Sequence, residues 1–187
     1  MANTDNPDGF RPVKTLSGAP LSGMLRSVQA GADDLFVGDA IAITAGVAVQ
    51  VAVEGIVAGV IVGFGGYGDN GEPLGYNVGD LEKKFFDTSE DTEADWAVFY
   101  VPADGVVFEA QFDDSEDIVI GEGYDLVIAD GSTVSGRSAM EIDGNAKTND
   151  GDVVVVEKPL GPKYDQTSGV ANKRVWVTFV NTLAGQI

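Results

Sequence analysis

The stretch GVAVQVAVEGIVAGVIVGFGGYG, from Gly46 to Gly68, decides the fold of this chain. Val47, Val49, Val51 and Val53 alternate with Ala48, Gln50, Ala52 and Glu54, a period of two that a helix would smear around its surface. That alternation is a strand. A membrane-spanning helix would have to bury Gln50 and Glu54 near mid-bilayer, and Gly46, Gly55, Gly59 and Gly63 would weaken it further. Val57, Val60, Ile61, Val62 and Phe64 form a second β-branched run, and Glu54-Gly55 turns the chain between the two.

Gly63, Gly65 and Gly68 match G-x-G-x-x-G after a strand, the spacing of a dinucleotide-binding loop. That chemistry needs a helix to start at once, so that its N-terminal amides face a pyrophosphate. Here the sequence continues DNGEPLGYNVGD, and Gly71, Pro73, Gly75 and Gly79 oppose a helix. A glycine-rich loop leaving a sheet is the expected reading.

Further runs of the same kind predict strands at LFV (35–37), AIAIT (40–44), WAVFYV (96–101), VVFEAQF (106–112), DIVI (117–120), YDLVIA (124–129), VVVVE (153–157) and VWVTFV (175–180). Turns are expected at Gly38-Asp39, Asp104-Gly105, Gly121 to Gly123, Asp130-Gly131 and Asp143-Gly144. Short strands at this spacing, with no long amphipathic helix, define an all-β chain: a single β-sandwich or barrel domain over residues 31–187. The segment LEKKFFDTSEDTEADW is expected to be loop, part of an acidic loop region at about residues 65–95. Residues 1–30 show neither period and scatter Pro7, Pro12 and Pro20 among small polar residues, which predicts an extended N-terminal arm. Alternation within each run nominates Val47, Val49, Val51, Val53, Val60, Val62, Val107, Ile118, Leu126, Ile128, Val154, Val156, Val175 and Val177 for the core.

The 187 residues carry 30 acids against 11 bases, no histidine and no cysteine, for a net charge of −19. Without histidine or cysteine there is no Ser-His-Asp triad, no thiolate nucleophile and no common zinc site. Charge is unevenly spread. Residues 1–30 are net +1, whereas Asp80 to Asp125 hold fifteen acids against Lys83 and Lys84. Such a field repels nucleic acid and anionic membrane, and mostly serves solubility. From Glu157 to Ile187 four bases (Lys158, Lys163, Lys173, Arg174) face two acids, so this segment is expected nearer to partners than the acidic block. Oxygen-rich clusters at Asp113-Asp114-x-Glu116-Asp117 and Asn149-Asp150-Gly-Asp152 are the only candidates for calcium, and neither has EF-hand spacing. No cofactor is expected. The N-terminus lacks a basic start and an apolar h-region, which predicts synthesis and folding in a cytoplasm.

MANTDNPDGFRPVKTLSG resembles the opening of head decoration, or cement, proteins of tailed bacteriophages, which begin M-A-N-x-D-x-P-x-G-x-x-P-V. ADGSTVSGRSAMEID, from Ala129 to Asp143, resembles a second passage of that family, and GIVAGVIVGFGGYG is similar to its glycine-terminated strand. Together these cover about a third of the chain, and the acidic block from Asp80 to Asp95 lies outside them. The resemblance implies a non-enzymatic virion protein that binds the outside of an icosahedral capsid, with the major capsid protein as partner. It also implies self-association, as a homotrimer around three-fold positions. On this reading the arm binds the shell: Phe10, Val13 and Leu16 are apolar anchors, Arg11 and Lys14 lie between them, and Pro12 limits the entropy lost on fixing the segment. The alternative is an adhesive, carbohydrate- or calcium-binding β-module on a virion or cell surface, served by Tyr67, Tyr76 and Phe86 as exposed aromatics near acids.

Overall fold

A computed structural model describes residues 5–66, 83–148, 151–159 and 165–183. The described chain is all-β, with thirteen strands and only two single turns of 3-10 helix, Leu21–Met24 and Glu93–Asp95. The strands are β1 (Arg11–Thr15), β2 (Arg26–Ala30), β3 (Leu35–Phe36), β4 (Ala40–Thr44), β5 (Val47–Gln50), β6 (Gly59–Gly66), β7 (Phe85–Phe86), β8 (Trp96–Pro102), β9 (Val106–Gln111), β10 (Gly123–Val127), β11 (Glu141–Thr148), β12 (Val153–Glu157) and β13 (Arg174–Phe179). They form a closed barrel, β2-β5-β4-β6-β8, a six-stranded sheet, β1-β9-β13-β12-β10-β11, and a small β3-β7 ribbon.

The deciding stretch resolves into β5 and β6, with Gly63 and Gly65 inside β6 and paired to β8. Two cores explain the unbroken apolar runs. Ile61, Phe64 and Val98 point into the barrel with Ala30, Leu35, Ile41, Ala48 and Phe86. Val60, Val101 and Ala40, on the opposite faces of the same barrel strands, join Phe108, Phe112, Leu126, Val153, Val155, Val175 and Val177 in a larger core beneath the six-stranded sheet. Barrel strands buried on both faces lose the polar half of their alternation, as in any sheet covered twice.

That double burial inverts part of the predicted core. In β5 the buried residue is Ala48, with Val47 and Val49 half-buried, because the interior of a five-stranded barrel has room only for a small side chain there. In β12 Val153 and Val155 are buried, and Val154 and Val156 are not. Val53 is exposed, on the turn with Glu54. Val51, Val60, Val107, Ile118, Leu126, Val175 and Val177 are buried as expected, and Val62 and Ile128 pack partly buried against the larger core.

Other expectations need correction. Asp143-Gly144 is not a turn but the middle of β11, where Gly144 lets Phe112 and Asp114 approach: an added Cβ would meet the Asp114 Cβ at 2.9 Å and the Phe112 ring at 3.0 Å. DIVI is not a strand. Ile118 is buried, but Val119 and Ile120 face solvent in a loop held by the Gly121 N–H to the Val155 carbonyl at 2.8 Å. FF in the expected loop forms β7, pairing with β3 and stacking Phe85 on Phe36 at 5.2 Å. Most of the expected acidic loop, with Tyr67 and Tyr76, lies outside the described residues.

The larger correction concerns residues 5–30. They do not form an arm without a core of its own: β1 pairs antiparallel with β9, β2 closes the barrel between β5 and β8, and Phe10 is 2% exposed in the larger core. The segment shows no period in sequence because β1 is an edge strand carrying a proline and a bulge between Pro12 and Lys14, so its side chains do not alternate across one interface.

Candidate partner-binding surface

The six residues expected to bind a partner separate into two groups. Phe10 is removed from any surface: its ring packs 5.0 Å from that of Phe179, and its N–H donates to the Gly38 carbonyl at 2.8 Å. Its role is to fasten the N-terminal segment to the core. Arg11, Pro12, Val13, Lys14 and Leu16 lie on or just beyond β1, the terminal strand of its sheet, which among the described residues pairs only with β9. Pro12 and Val13 are half-buried, and Leu16 is 66% exposed.

The two cations of β1 reach across the outer face of the sheet. Arg11 Nη2 donates to Glu109 Oε1 at 2.7 Å, and the indole N–H of Trp176 donates to the other oxygen of the same carboxylate at 3.2 Å. Lys14 Nζ donates to Glu157 Oε2 at 3.0 Å and sits 4.5 Å above the Trp176 ring. The register makes this possible, since Arg11 and Trp176 both lie opposite Glu109, and Glu157 lies opposite Trp176. Glu109 is nearly buried and held by charge-assisted hydrogen bonds, whereas Arg11 and Lys14 remain largely exposed. Trp176 is the centre that sequence reading missed. Its signal was present: a tryptophan on the outward phase of VWVTFV, between two buried valines.

The same face extends toward the start of the described chain. Arg174 Nη1 donates to Asp8 Oδ1 at 2.5 Å and Nη2 to the Asn6 carbonyl at 2.8 Å. Gln111 Nε2 donates to Asp5 Oδ1 at 3.0 Å and to Glu141 Oε1 at 2.5 Å, and burial pushes the Glu141 carboxyl above its usual range. Of the C-terminal bases expected near partners, Arg174 is on this face, Lys173 is buried with its ammonium on the Ser115 and Glu116 carbonyls, and Lys163 is outside the described residues.

The acidic clusters serve local structure. Asp113 Oδ1 accepts the Gly144 N–H at 2.8 Å, and Asp114 accepts from the Ser115 N–H and the Asn145 amide, so both carboxylates fasten their loop to β11. Asp152 is buried and accepts the Leu126 N–H at 3.1 Å, while Asn149 and Asp150 lie outside the described residues. Among the described residues no group of three or more acidic side chains is placed to hold a metal ion. Phe86, expected as an exposed aromatic, is fully buried in the barrel.

The chain matches no protein-family description, no curated protein and no solved structure.

Proposed function

We propose that this chain is a virion structural protein that binds the outer surface of an icosahedral bacteriophage capsid and stabilises it, acting through the major capsid protein and self-associating, as a homotrimer, on the shell. The observation that carries the reading is the open edge of the six-stranded sheet. There Arg11 and Lys14 are displayed on a strand whose inner side is locked to the body, with exposed Leu16 just beyond its end, beside the resembling sequence that begins at the N-terminus. A rigid edge of this kind offers a partner backbone groups and side chains without an ordering cost. Pro12 and the bulge beside it limit uncontrolled edge pairing, which suits a protein concentrated on a repeating surface.

The test is sedimentation of undecorated, expanded shells of the encoding virus with the purified protein. Co-pelleting that saturates at a fixed ratio to shell subunits is expected, and Leu16→Asp with Lys14→Glu should weaken it. Free protein in the supernatant at every concentration would refute the proposal, and binding to glycan arrays instead would favour the adhesive reading.

A further inference from the structure

The hairpin loop from Ser132 to Arg137 carries Val134, which at 84% exposure is the most exposed large apolar side chain of the described residues. It is not a loose tip. Ser132 N–H donates to the Arg137 carbonyl at 2.8 Å, Gly136 N–H to the Ser132 carbonyl at 2.7 Å, and Val37 N–H to the Gly136 carbonyl at 3.1 Å. Gly136 has a φ of +71° and packs directly against Lys84, with no room for a Cβ. Lys84 and Arg137 therefore flank the tip. Five other cations, Arg11, Lys14, Lys83, Lys147 and Arg174, are engaged in ion pairs, but these two make none among the described residues.

At another place the chain presents the complement. The segment before β6 is zipped to the end of the described chain by the Val57 N–H to the Asn181 carbonyl at 2.7 Å and the Leu183 N–H to the Val57 carbonyl at 3.1 Å. This brings the backbone segments that carry exposed Ile56 and exposed Leu183 together, with exposed Val53 and Val180 each three residues earlier in the same segments. Scattered apolar side chains need no explanation, but four on two zipped segments do. The neighbouring charges are acidic: Glu54, in the adjoining turn, lies near Asp125 and Asp152, whose carboxyls are raised chiefly by burial, with the Glu54 charge a smaller addition.

We propose that the Val134 tip, with Lys84 and Arg137, docks on the Ile56–Leu183 patch and Glu54 of a second copy of this chain. The inference deepens, and rests on, the self-association proposed above. Copies of net charge −19 repel, so a stable contact between them must set cations of one against acids of the other. The tip brings together two exposed cations that make no ion pair among the described residues, as Arg26 and Lys158 also make none elsewhere, and the patch joins apolar surface to carboxylates. A contact between two different surfaces is head-to-tail and closes into a ring when its rotation permits. The rigid loop loses little conformational freedom on docking.

Because the chain has no cysteine, the contact can be read by disulfide trapping. Val134→Cys and Leu183→Cys proteins, each at an exposed site, are mixed and oxidised mildly, and their masses are compared with wild type in sedimentation equilibrium. The expected result is an oligomeric wild type and a mixed Val134–Leu183 disulfide far exceeding either homodisulfide. Arg137→Glu and Glu54→Lys should each weaken association by about tenfold, and the double variant should recover most of it, as the charge pair is restored in trans. A monomeric wild type at every concentration would remove the self-association reading itself. An oligomeric wild type without the mixed disulfide, or a double variant no better than the singles, would overturn this contact while leaving self-association standing.

Discussion

The rings of Phe10 and Phe179 meet with centroids 5.0 Å apart and planes tilted by 52°, and Phe108 meets Phe179 edge-on at 5.3 Å. The N-terminal segment thus supplies one ring of an aromatic cluster inside the larger core. Phe10→Ala should cost about 3–5 kcal/mol, as for other buried phenylalanines, because the flanking strands cannot collapse into the space. Deleting residues 1–18 should cost at least as much, since β1 leaves with it. Thermal melting of both variants tests this: a truncated protein that melts with wild type would show that the segment is dispensable to the body.

Val51 and Val53 occupy the same phase of one alternating run, yet Val51 is buried and Val53 is 49% exposed. Val51→Asp should abolish folding by placing an unpaired carboxylate in the core, while Val53→Asp should leave the melting temperature within a degree or two. Soluble expression and circular dichroism of the two variants decide it.

This pair shows how far the sequence could be read. The all-β class and most strands followed from local alternation, because β-branched runs broken by glycine and acid have few other solutions. Which face of a run is buried depended on what lies across it. Ala48 rather than Val47 turns inward because the barrel is narrow, and Val155 rather than Val156 because β12 roofs the larger core. β1 and β11 escaped notice for a related reason: one is an edge, and the other carries Asp143-Gly144 where tertiary contact demands a small residue. Of the candidate surface, Arg11 and Lys14 were legible as charges in an irregular segment. Their partners Glu109, Glu157 and Trp176 are between 98 and 162 residues away along the chain, visible only once β9, β12 and β13 are aligned.

Ala45 and Gly46 form a two-residue hairpin loop between β4 and β5, both with positive φ, at 51° and 88°. A loop of this kind favours asparagine followed by glycine, and a left-handed alanine costs on the order of 1 kcal/mol. Ala45→Asn should therefore stabilise the protein by about 0.5–1 kcal/mol with no change in its fold. A denaturation midpoint at or below that of wild type would contradict the turn assignment.

Asp39 is fully buried where β4 begins, and burial pushes its carboxyl from 3.8 up to about 7. Its Oδ2 accepts the Phe36 N–H at 2.8 Å, and the nearby Ser138 and Gln50 side chains only partly offset the loss of water, while Asp130 adds like-charge repulsion. Because the folded value lies above the unfolded one, the native state keeps a proton that the unfolded chain releases. The stability from this group is fully present below the unfolded value and is lost as pH rises through about 7. Asp113, Asp125, Asp152 and Glu141 are raised chiefly by burial and act in the same sense, whereas Asp87, Asp114 and Asp165 are lowered by hydrogen bonds and act in the opposite sense at acid pH. Urea denaturation should therefore show a more stable protein near about pH 5 than near about pH 8, with Asp39 accounting for roughly 3 kcal/mol of the difference. Asp39→Asn carries no charge to bury, so its stability at the higher pH should exceed that of wild type and its dependence on pH should be much flatter. Parallel pH profiles for the two proteins would show that Asp39 is ionised in the native state throughout and that its site stabilises the charge.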